Sequence, residues 1–424
     1  MMALVLFLTF VLLVFLGVPI AFSLGMSALL YLVVMDIPLN VIPQKMYVGI
    51  DSFTLLCIPG FVLAGNLMNV GGITNRIIQF ANSVIGFIRG GLGLATVGSS
   101  MVFAGISGTA LAETASLGSV LIPAMKKEKY DAGFASALVA SASTIGPIIP
   151  PSLPMIIVGT LTGISVGKMF VAGIVPGILI GILLMIVVYV ISVKRGYPKG
   201  ERQPLSVIAK SFFNAFWAIM MTVVILYGIL GGFFTPTEAS VMAVLYAIVV
   251  GKFIYRELRF RDLPKIFVSS MISSAGIMIL VGLANLFGWI LVSEQIPQLI
   301  AETILDISTN KFVVLLLINL FLLFVGLFME TIAALVILFP VLLPVALEIG
   351  VDPVQFGVMV VLNLVIGLVT PPVGVCLFVA AGIGKVSLGR AARALLPFLA
   401  VELIVLFLVA YVPGVTLYLP QLIE

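Results

Sequence analysis

The sequence predicts an all-α polytopic membrane protein made of two inverted repeats, each with a re-entrant helical hairpin and a broken transmembrane helix. Three observations support this fold class. Hydrophobic residues make up 62% of the 424-residue chain and charged residues 9%, whereas about a quarter of a soluble domain is charged. Pro19, Glu113 and Gly167 recur at one constant spacing as Pro236, Glu330 and Gly384. Paired prolines interrupt two of the apolar segments.

Apolar runs long enough to cross a bilayer, about 17 to 25 residues each, give the order of elements. The first repeat, 1–193, is predicted to contain scaffold spans in 1–70, an arm helix at 73–89, a hairpin at 91–125, a broken helix at 131–163 and a span at 168–193. A cytoplasmic linker at 194–210 follows. The second repeat, 211–424, repeats the series with scaffold spans in 211–292, an arm helix at 294–311, a hairpin at 312–347, a broken helix at 354–383 and a span at 396–417.

The distribution of basic residues predicts the orientation. When 91–125 and 312–347 are treated as hairpins, all of the 21 Lys and Arg residues except Lys45, Lys168 and Lys311 fall on one side. Cytoplasmic loops carry such an excess of basic residues, so we expect both termini outside. Because the N-terminal apolar run lacks a basic region and a cleavage motif, we expect it to be a retained span.

Residues that are absent or isolated exclude several kinds of chemistry. The chain has no histidine, and its two cysteines, Cys57 and Cys376, lie far apart in apolar segments. This excludes His-based acid–base catalysis and gives no indication of a disulfide framework or a zinc site. We expect no enzyme activity, no nucleic-acid partner and no cofactor.

The two proline-rich interruptions are candidate binding elements. One continuous helix over 131–163 would be about 50 Å long, well beyond a bilayer core of about 30 Å, and Gly146 to Ser152 contains three prolines. A break leaves free carbonyls on one half-helix and free amides on the other, which suit cations and anionic cargo. A single Pro-Pro is more simply a kink, but Pro371 and Pro372 repeat the pattern, which favours a functional role.

The two hairpin tips carry hydroxyls, glycines and one carboxylate each, Glu113 and Glu330. Such oxygens suit a hard cation such as Na⁺. An acidic side chain at membrane depth is costly and usually marks a pathway or a partner. Each glutamate is therefore an ion ligand or proton carrier, or else a cap on the second helix of its hairpin. Glu402 and Glu238 are interpreted as packing or interfacial residues.

Four motifs together resemble the large membrane (M) subunit of tripartite ATP-independent periplasmic (TRAP) transporters. They are Gly-Ile-Ser-Gly-Thr-Ala-Leu-Ala-Glu-Thr at 105–114, Gly-Pro-Ile-Ile-Pro-Pro-Ser at 146–152, Gly-Leu-Phe-Met-Glu-Thr at 326–331 and Gly-Leu-Val-Thr-Pro-Pro-Val-Gly at 367–374. The resemblance covers essentially the whole chain. It implies Na⁺-driven import of an organic acid, of the sialic acid or C4-dicarboxylate class, by an elevator in which a transport domain moves against a scaffold.

The same resemblance implies the partners and the site. The partners are a separate small membrane (Q) subunit, a periplasmic substrate-binding (P) protein and the lipid of the bacterial inner membrane. One Na⁺ would lie near Ser107, Gly108, Gly146, Ile149 and Pro151, and another near Gly326, Met329, Gly367, Thr370 and Val373. Cargo would contact Thr109, Ser116 and Ser152, with Glu113, Glu330, Pro150, Pro371 and Pro372 in structural or ion-coupling roles.

Two alternatives stay open at this point. A stand-alone sodium/dicarboxylate or citrate carrier would use similar inverted hairpins without a binding protein. An intramembrane enzyme would use Glu113 and Glu330 as an acid pair.

Overall fold

The computed structural model describes residues 2–423, and that part of the chain forms helices and no strand. The first half contains α1 (Met2–Phe15), α2 (Ile20–Val34), α3 (Val41–Ile50), α4 (Cys57–Val70), α5 (Ile73–Ile85), α6 (Gly91–Ser107), α7 (Ala110–Lys127), α8 (Ala132–Ser143), α9 (Leu153–Thr162) and α10 (Val166–Arg195). The second contains α11 (Leu205–Leu230), α12 (Pro236–Val249), α13 (Leu263–Ser293), α14 (Ile296–Ile307), α15 (Lys311–Gly326), α16 (Thr331–Glu348), α17 (Pro353–Gly367), α18 (Val375–Gly384), α19 (Leu388–Tyr411) and α20 (Gly414–Ile423).

The helices have the length and composition of membrane spans. Within residues 2–423, seven are long and apolar enough to cross a bilayer: Phe53–Val70, Val166–Arg195, Leu205–Leu230, Pro236–Ile254, Leu263–Ser293, Thr331–Glu348 and Leu388–Tyr411. Further apolar helices of 10 to 17 residues, among them α6, α8, α9, α15, α17 and α18, are shorter. The prediction of an all-helical polytopic membrane protein is confirmed at this level.

Both proline-rich segments interrupt a helix. The first interruption, 144–152, separates α8 from α9, and the second, 368–374, separates α17 from α18. Proline removes an amide donor and cannot continue a regular helix past its own position. We refer to these segments as the first and second breaks.

Besides shifts of a few residues at helix ends, the helices differ from the predicted elements in three places. The short helix α3 was not predicted, and the last predicted span divides near Pro413 into α19 and α20. Between the two halves only 196–204 is non-helical, because α10 and α11 extend into the predicted linker from both sides.

The hairpins and broken helices pack together as one group, which we call the hairpin bundle (α6–α10 and α15–α19). In it α7 contacts α8 and α18, while α16 contacts α17 and α9. Each hairpin thus touches the helix that follows the other half's break. Every residue from Gly133 to Ser143 and from Val354 to Gly367 is buried, so the first parts of both broken helices form the centre of the bundle.

A second group, the flanking group, contains α1–α5 and α11–α14, and the C-terminal α20 packs on α10 of the hairpin bundle. Here α13 packs on α2, α3 and α4, α12 packs on α4, and α11 packs on α5. Contacts of α4 with α6 and of α13 with α16 join the two groups. The hairpin tips therefore face α4 and α13 across the junction between the groups.

Candidate functional site

The first hairpin tip is a two-residue turn held against the first break. Gly108 has φ +62° and ends α6, and extended Thr109 begins α7. The amide of Leu153 lies 3.4 Å from the carbonyl oxygen of Gly108, to which it donates. A Cβ on Gly108 would lie 2.6 Å from the carbonyl oxygen of Pro151, so only glycine fits. The tip and the break are thus in direct contact.

The first break is enclosed by protein. All of its residues are buried except Ile149, which is half-buried. The hydroxyl of Ser152 accepts a hydrogen bond from the amide of Met155 at 3.3 Å and donates to the carbonyl of Pro147. Ser152 therefore caps α9, and the cargo contact expected of it would require this hydroxyl to leave the cap.

Glu113 lies against the first break, and its carboxyl group has no compensating partner within residues 2–423. Its side chain is fully buried, and neither carboxylate oxygen has a hydrogen-bond partner among the described residues. A Cβ on Gly146 would lie 2.5 Å from Oε2 of Glu113, 3.3 Å from the carbonyl oxygen of Ser143 and 3.5 Å from that of Thr109. A carboxylate and two carbonyls thus converge beside Gly146, and this donor set suits a hard cation.

Glu330 at the second hairpin tip has a different environment. Its Oε2 accepts hydrogen bonds from the amides of Ile332 at 2.9 Å and Ala333 at 3.2 Å, so Glu330 is the N-cap of α16. An anionic group there also interacts favourably with the helix dipole. Of the two glutamates, Glu330 caps its helix through its side chain, whereas Glu113 makes no such bond.

The second tip meets the second break through glycine backbones. A Cβ on Gly367 would lie 2.3 Å from the carbonyl oxygen of Gly326, so α15 and α17 end in direct contact. Within the break, the Thr370 hydroxyl donates to the carbonyl of Ile366 at 2.7 Å, and the amide of Cys376 donates to that of Leu368 at 2.9 Å. Pro371, Pro372 and Val373 are exposed, and Met329 is half-buried, so the second break is open where the first is closed.

A cavity of about 520 Å³ lies between the tips and the flanking group. The hairpins contribute Ser107, Thr109, Ser116 and Glu330, and the flanking helices contribute Asn66 and Asn69 from α4 and Ser273 from α13. None of the described residues that line it is Lys or Arg. A smaller cavity of about 80 Å³ lies between the two tips and is lined by Gly108, Thr109, Pro147, Glu330, Thr331, Leu368 and Cys376.

Sequence reasoning missed the polar residues that approach from other helices. Asn66, Asn69 and Ser273 line the larger cavity, and the Asn66 amide donates to the Ser270 hydroxyl at 2.8 Å. Behind the second break, buried Asn363 donates to Oδ1 of Asn319 at 2.8 Å. Isolated asparagines in apolar helices were the available signal, because polar side chains inside membranes find partners on neighbouring helices.

The fold is shared with transporters of low sequence identity. A crystal structure of the Alcanivorax borkumensis YdaH transporter superposes with a TM-score of 0.63 at 16% identity, covering 89% of both chains. The Neisseria gonorrhoeae MtrF structure, described among antimetabolite efflux pumps, gives 0.61 at 14% identity over 88% of this chain and 83% of that one. At these identities the likeness concerns the fold.

Relatives of higher identity align along almost the whole chain. The sialic acid TRAP transporter large permease protein SiaM of Vibrio cholerae is 44% identical over 97% of this chain and 96% of its own length. The isethionate TRAP transporter permease protein DctMQ of Oleidesulfovibrio alaskensis is 43% identical over 98% of this chain, which spans 66% of that relative. The C4-dicarboxylate TRAP transporter large permease protein DctM of Pseudomonas aeruginosa is 41% identical over 94% of both.

These relatives are named as transporter permeases, which confirms that the chain is not an enzyme. Residues 7–415 match the family model described as the tripartite ATP-independent periplasmic transporter, DctM component. The chain therefore belongs to the DctM family of large membrane components of TRAP transporters.

Proposed function

We propose that this chain is the translocating subunit of a sodium-coupled importer of an organic acid. The observation that carries the proposal is the convergence of both hairpin tips and both breaks on two adjoining cavities, at least one of which is large enough for a small organic molecule. Irregular backbone at membrane depth is tolerated where it lines a cavity, and it marks the binding site in transporters built this way.

Two sodium sites would use mainly backbone oxygens. The first lies among Ser107, Gly108, Gly146, Ile149 and Pro151, and the second among Gly326, Met329, Gly367, Thr370 and Val373. Contact of Gly108 with Pro151 and of Gly326 with Gly367 supports this grouping. Glu113 beside the first site would supply a negative charge that a bound Na⁺ neutralises.

The cargo would occupy the cavity of about 520 Å³. Because no Lys or Arg is among the described lining residues, an anionic cargo would be held by hydroxyls, by the Asn66 and Asn69 amides and by half-helix N-termini. Relatives are named for sialic acid, isethionate and C4-dicarboxylates, so the cargo is proposed as an organic acid of this range.

Inverted repeats and an elevator would provide the movement. The succession of hairpin, broken helix and long span occurs as α6–α10 and again as α15–α19. In this proposal the hairpin bundle is the transport domain and the flanking group is the scaffold. The cavity lies at their junction, where displacement of one group past the other would expose it to the opposite side.

The subunit would act in the bacterial inner membrane with both termini in the periplasm. Its partners would be a small membrane subunit and a periplasmic binding protein, as the word tripartite in the family description implies. In the relative named DctMQ, extra length beyond this chain is consistent with a fused small subunit.

Uptake into proteoliposomes tests the proposal. Sialic acid, succinate and isethionate are supplied in turn, with the Na⁺ gradient, the small subunit and the binding protein each omitted separately. Each Na⁺ entering with the membrane potential contributes about 2.3 kcal/mol per 100 mV, so we expect accumulation only in the complete system with Na⁺. Equal uptake with choline in place of Na⁺ would refute sodium coupling, and uptake of free substrate without a binding protein would identify a stand-alone carrier.

A further inference from the structure

Glu402 is a buried carboxylic acid outside the proposed sodium and cargo contacts. It lies in the middle of α19 and is fully enclosed. Its Oε1 is 3.1 Å from the hydroxyl oxygen of Thr144, the residue with which the first break begins. Its Oε2 has no partner among the described residues. The Glu402 side chain thus connects α19 with the start of the first break.

The geometry at Thr144 limits which group can donate the hydrogen bond between Thr144 and Glu402. Its hydroxyl oxygen lies 2.6 Å from the carbonyl oxygen of Ser141 and 3.1 Å from Oε1 of Glu402. A threonine hydroxyl carries one proton, so it can donate fully to only one of these two acceptors, and the Ser141 carbonyl is the nearer one. When the proton is directed to the Ser141 carbonyl, the contact with Glu402 is a hydrogen bond only if Glu402 is protonated and donates to the Thr144 hydroxyl oxygen.

The charges around Glu402 support the same assignment. Helices α8, α10, α17, α18 and α20 pack against α19. The described residues of α8, α17, α18 and α20 include no Lys or Arg. The basic residues of α10 lie at its two ends, and the basic residues of α19 itself, Arg390 and Arg393, lie near its start. The titratable neighbour on α18 is Cys376, which is also buried. An unpaired carboxylate here would cost several kcal/mol, whereas a neutral acid avoids that cost.

We propose that Glu402 is a positioning residue that, as a neutral acid, donates a hydrogen bond to Thr144 and fixes the end of α8. That end supplies the Ser143 carbonyl, which points with Glu113 toward Gly146. Loss of the bond would let the first break relax and weaken the first sodium site. The inference rests on the proposed function, because it concerns how that site is held in shape.

Substitutions that keep or remove the donor separate the possibilities. Glu402→Gln keeps an N–H donor without any charge, and Glu402→Met removes it at similar size. Thr144→Ser keeps the hydroxyl, and Thr144→Val removes it. The matched control Gln355→Met removes buried hydrogen bonds of 3.0 Å from α17 to the carbonyls of Val409 and Ala410, at the C-terminal end of α19.

The readout is the Na⁺ concentration that gives half-maximal thermal stabilisation of the purified full-length protein, repeated for uptake. We expect this Na⁺ concentration to stay within about 2-fold of the parent value in Glu402→Gln and Thr144→Ser. In Glu402→Met and Thr144→Val we expect it to rise about 10-fold, which corresponds to about 1.4 kcal/mol. The control should stay within 2-fold even if its melting temperature falls. A uniform loss of stability would lower melting temperatures without this pattern.

The outcomes separate the inference from the proposed function. Absence of any Na⁺ stabilisation in the parent protein would refute sodium coupling itself. Normal stabilisation in the parent with unchanged values in Glu402→Met and Thr144→Val would overturn only the positioning role. A rise in Glu402→Gln as large as in Glu402→Met would show that Glu402 acts through negative charge. If Glu402→Met does not fold, the Thr144→Ser and Thr144→Val pair makes the same comparison.

Discussion

At the scale of single residues, the centre of this protein depends on a glycine that makes room for a carboxylate. Gly146 has no side chain, and the Glu113 carboxylate occupies the space where a Cβ would be. Glu113 is fully buried without a hydrogen-bond partner among the described residues. Two residues 33 positions apart in sequence therefore form one cluster of oxygen atoms, together with the carbonyls of Ser143 and Thr109.

Gly146→Ala tests this contact. Its Cβ would lie 2.5 Å from Oε2 of Glu113, so the carboxylate must move, and overpacking of this kind costs about 1–3 kcal/mol. We expect a lower melting temperature and a Na⁺ requirement for uptake raised at least several-fold. The control Gly288→Ala places a methyl in α13 where nothing lies within 4 Å and should behave like the parent. Parent-like Na⁺ dependence in Gly146→Ala would contradict the proposed site.

Asp131 makes a second residue-scale prediction, on the non-membrane end of α8. It accepts a hydrogen bond from the Phe134 amide at 2.9 Å and forms an ion pair with Arg390 at 2.5 Å. Partial burial by itself would raise the pKa of Asp131, but this amide and the guanidinium together hold that pKa below its ordinary value of 3.8. The stabilisation is therefore complete above about pH 5 and is lost as pH falls through the lowered pKa.

Asp131→Asn should consequently lower the melting temperature at pH 7, and the difference from the parent should shrink as pH falls below about 4. Asn keeps an oxygen that can accept the hydrogen bond from the Phe134 amide, so the difference comes mainly from the lost ion pair and is below about 1 kcal/mol because both side chains are partly exposed. Thermal melts in detergent across pH measure this. Glu302→Gln, at an exposed carboxylate on α14, is the control, and a difference that stays constant to pH 3 would contradict the assignment.

At the scale of elements, each hairpin ends in a tip that needs its own chemistry. The first turns through Gly108 in the left-handed region, and the second is closed by the Glu330 cap on α16. Four amides at a helix N-terminus lack partners within the helix, and Glu330 supplies an acceptor to two of them. The two tips thus close their hairpins differently, the first through a left-handed glycine and the second through a side-chain cap.

The Glu330 cap predicts a difference between two substitutions. Glu330→Gln keeps a carbonyl acceptor for the amides of Ile332 and Ala333, whereas Glu330→Ala removes it, at a cost of about 0.5–2 kcal/mol. We expect Glu330→Gln to retain at least about half of parent uptake and Glu330→Ala to lose most of it and melt earlier. Glu302→Ala on α14 serves as the control. Equal loss of Na⁺-dependent uptake in both Glu330 variants would show that charge, and not capping, is what the site requires.

At the scale of the whole molecule, the proposed function depends on the junction between the hairpin bundle and the flanking group. The hydroxyl of Thr222 on α11 donates to the carbonyl of Gly105 on α6 at 2.9 Å. A Cβ added to Gly65 on α4 would lie 3.6 Å from the Cα atom of Ser107, so the two helices are in close contact there. These contacts hold the first hairpin against the flanking helices in this arrangement, and an elevator would have to break them.

A disulfide across that junction tests the movement. A Cβ on Gly105 would lie 3.0 Å from Cβ of Thr222, close to the separation of about 3.5–4.5 Å in disulfides. In a background with Cys57 and Cys376 replaced, Gly105→Cys with Thr222→Cys should lose uptake on oxidation and regain it on reduction. Each single substitution is a control and should be insensitive to the oxidant. Unchanged uptake in fully cross-linked protein would rule out relative motion at this junction.

Composition and local pattern by themselves determined the class, the helix order and the breaks. A chain with 62% hydrophobic residues and few charges must satisfy its backbone within helices, and paired prolines at 150–151 and 371–372 cannot continue them. The bounds of α6, α7, α15 and α16 follow the predicted hairpins to within a few residues, since apolar length and glycine-rich tips are local signals.

The tertiary structure decided which atoms meet. Thr144 lies beside Glu402, Glu113 beside Gly146, and Asn66 and Ser273 beside the hairpin tips. These contacts join helices distant in sequence, and a single polar residue in an apolar helix does not reveal which neighbour it faces. The sequence accordingly predicts a packing or interfacial role for Glu402, whereas in the structure its carboxyl group contacts Thr144 of the first break. Burial without a cationic partner is a property of the assembled bundle, because only packing removes the water that would otherwise solvate the carboxylate.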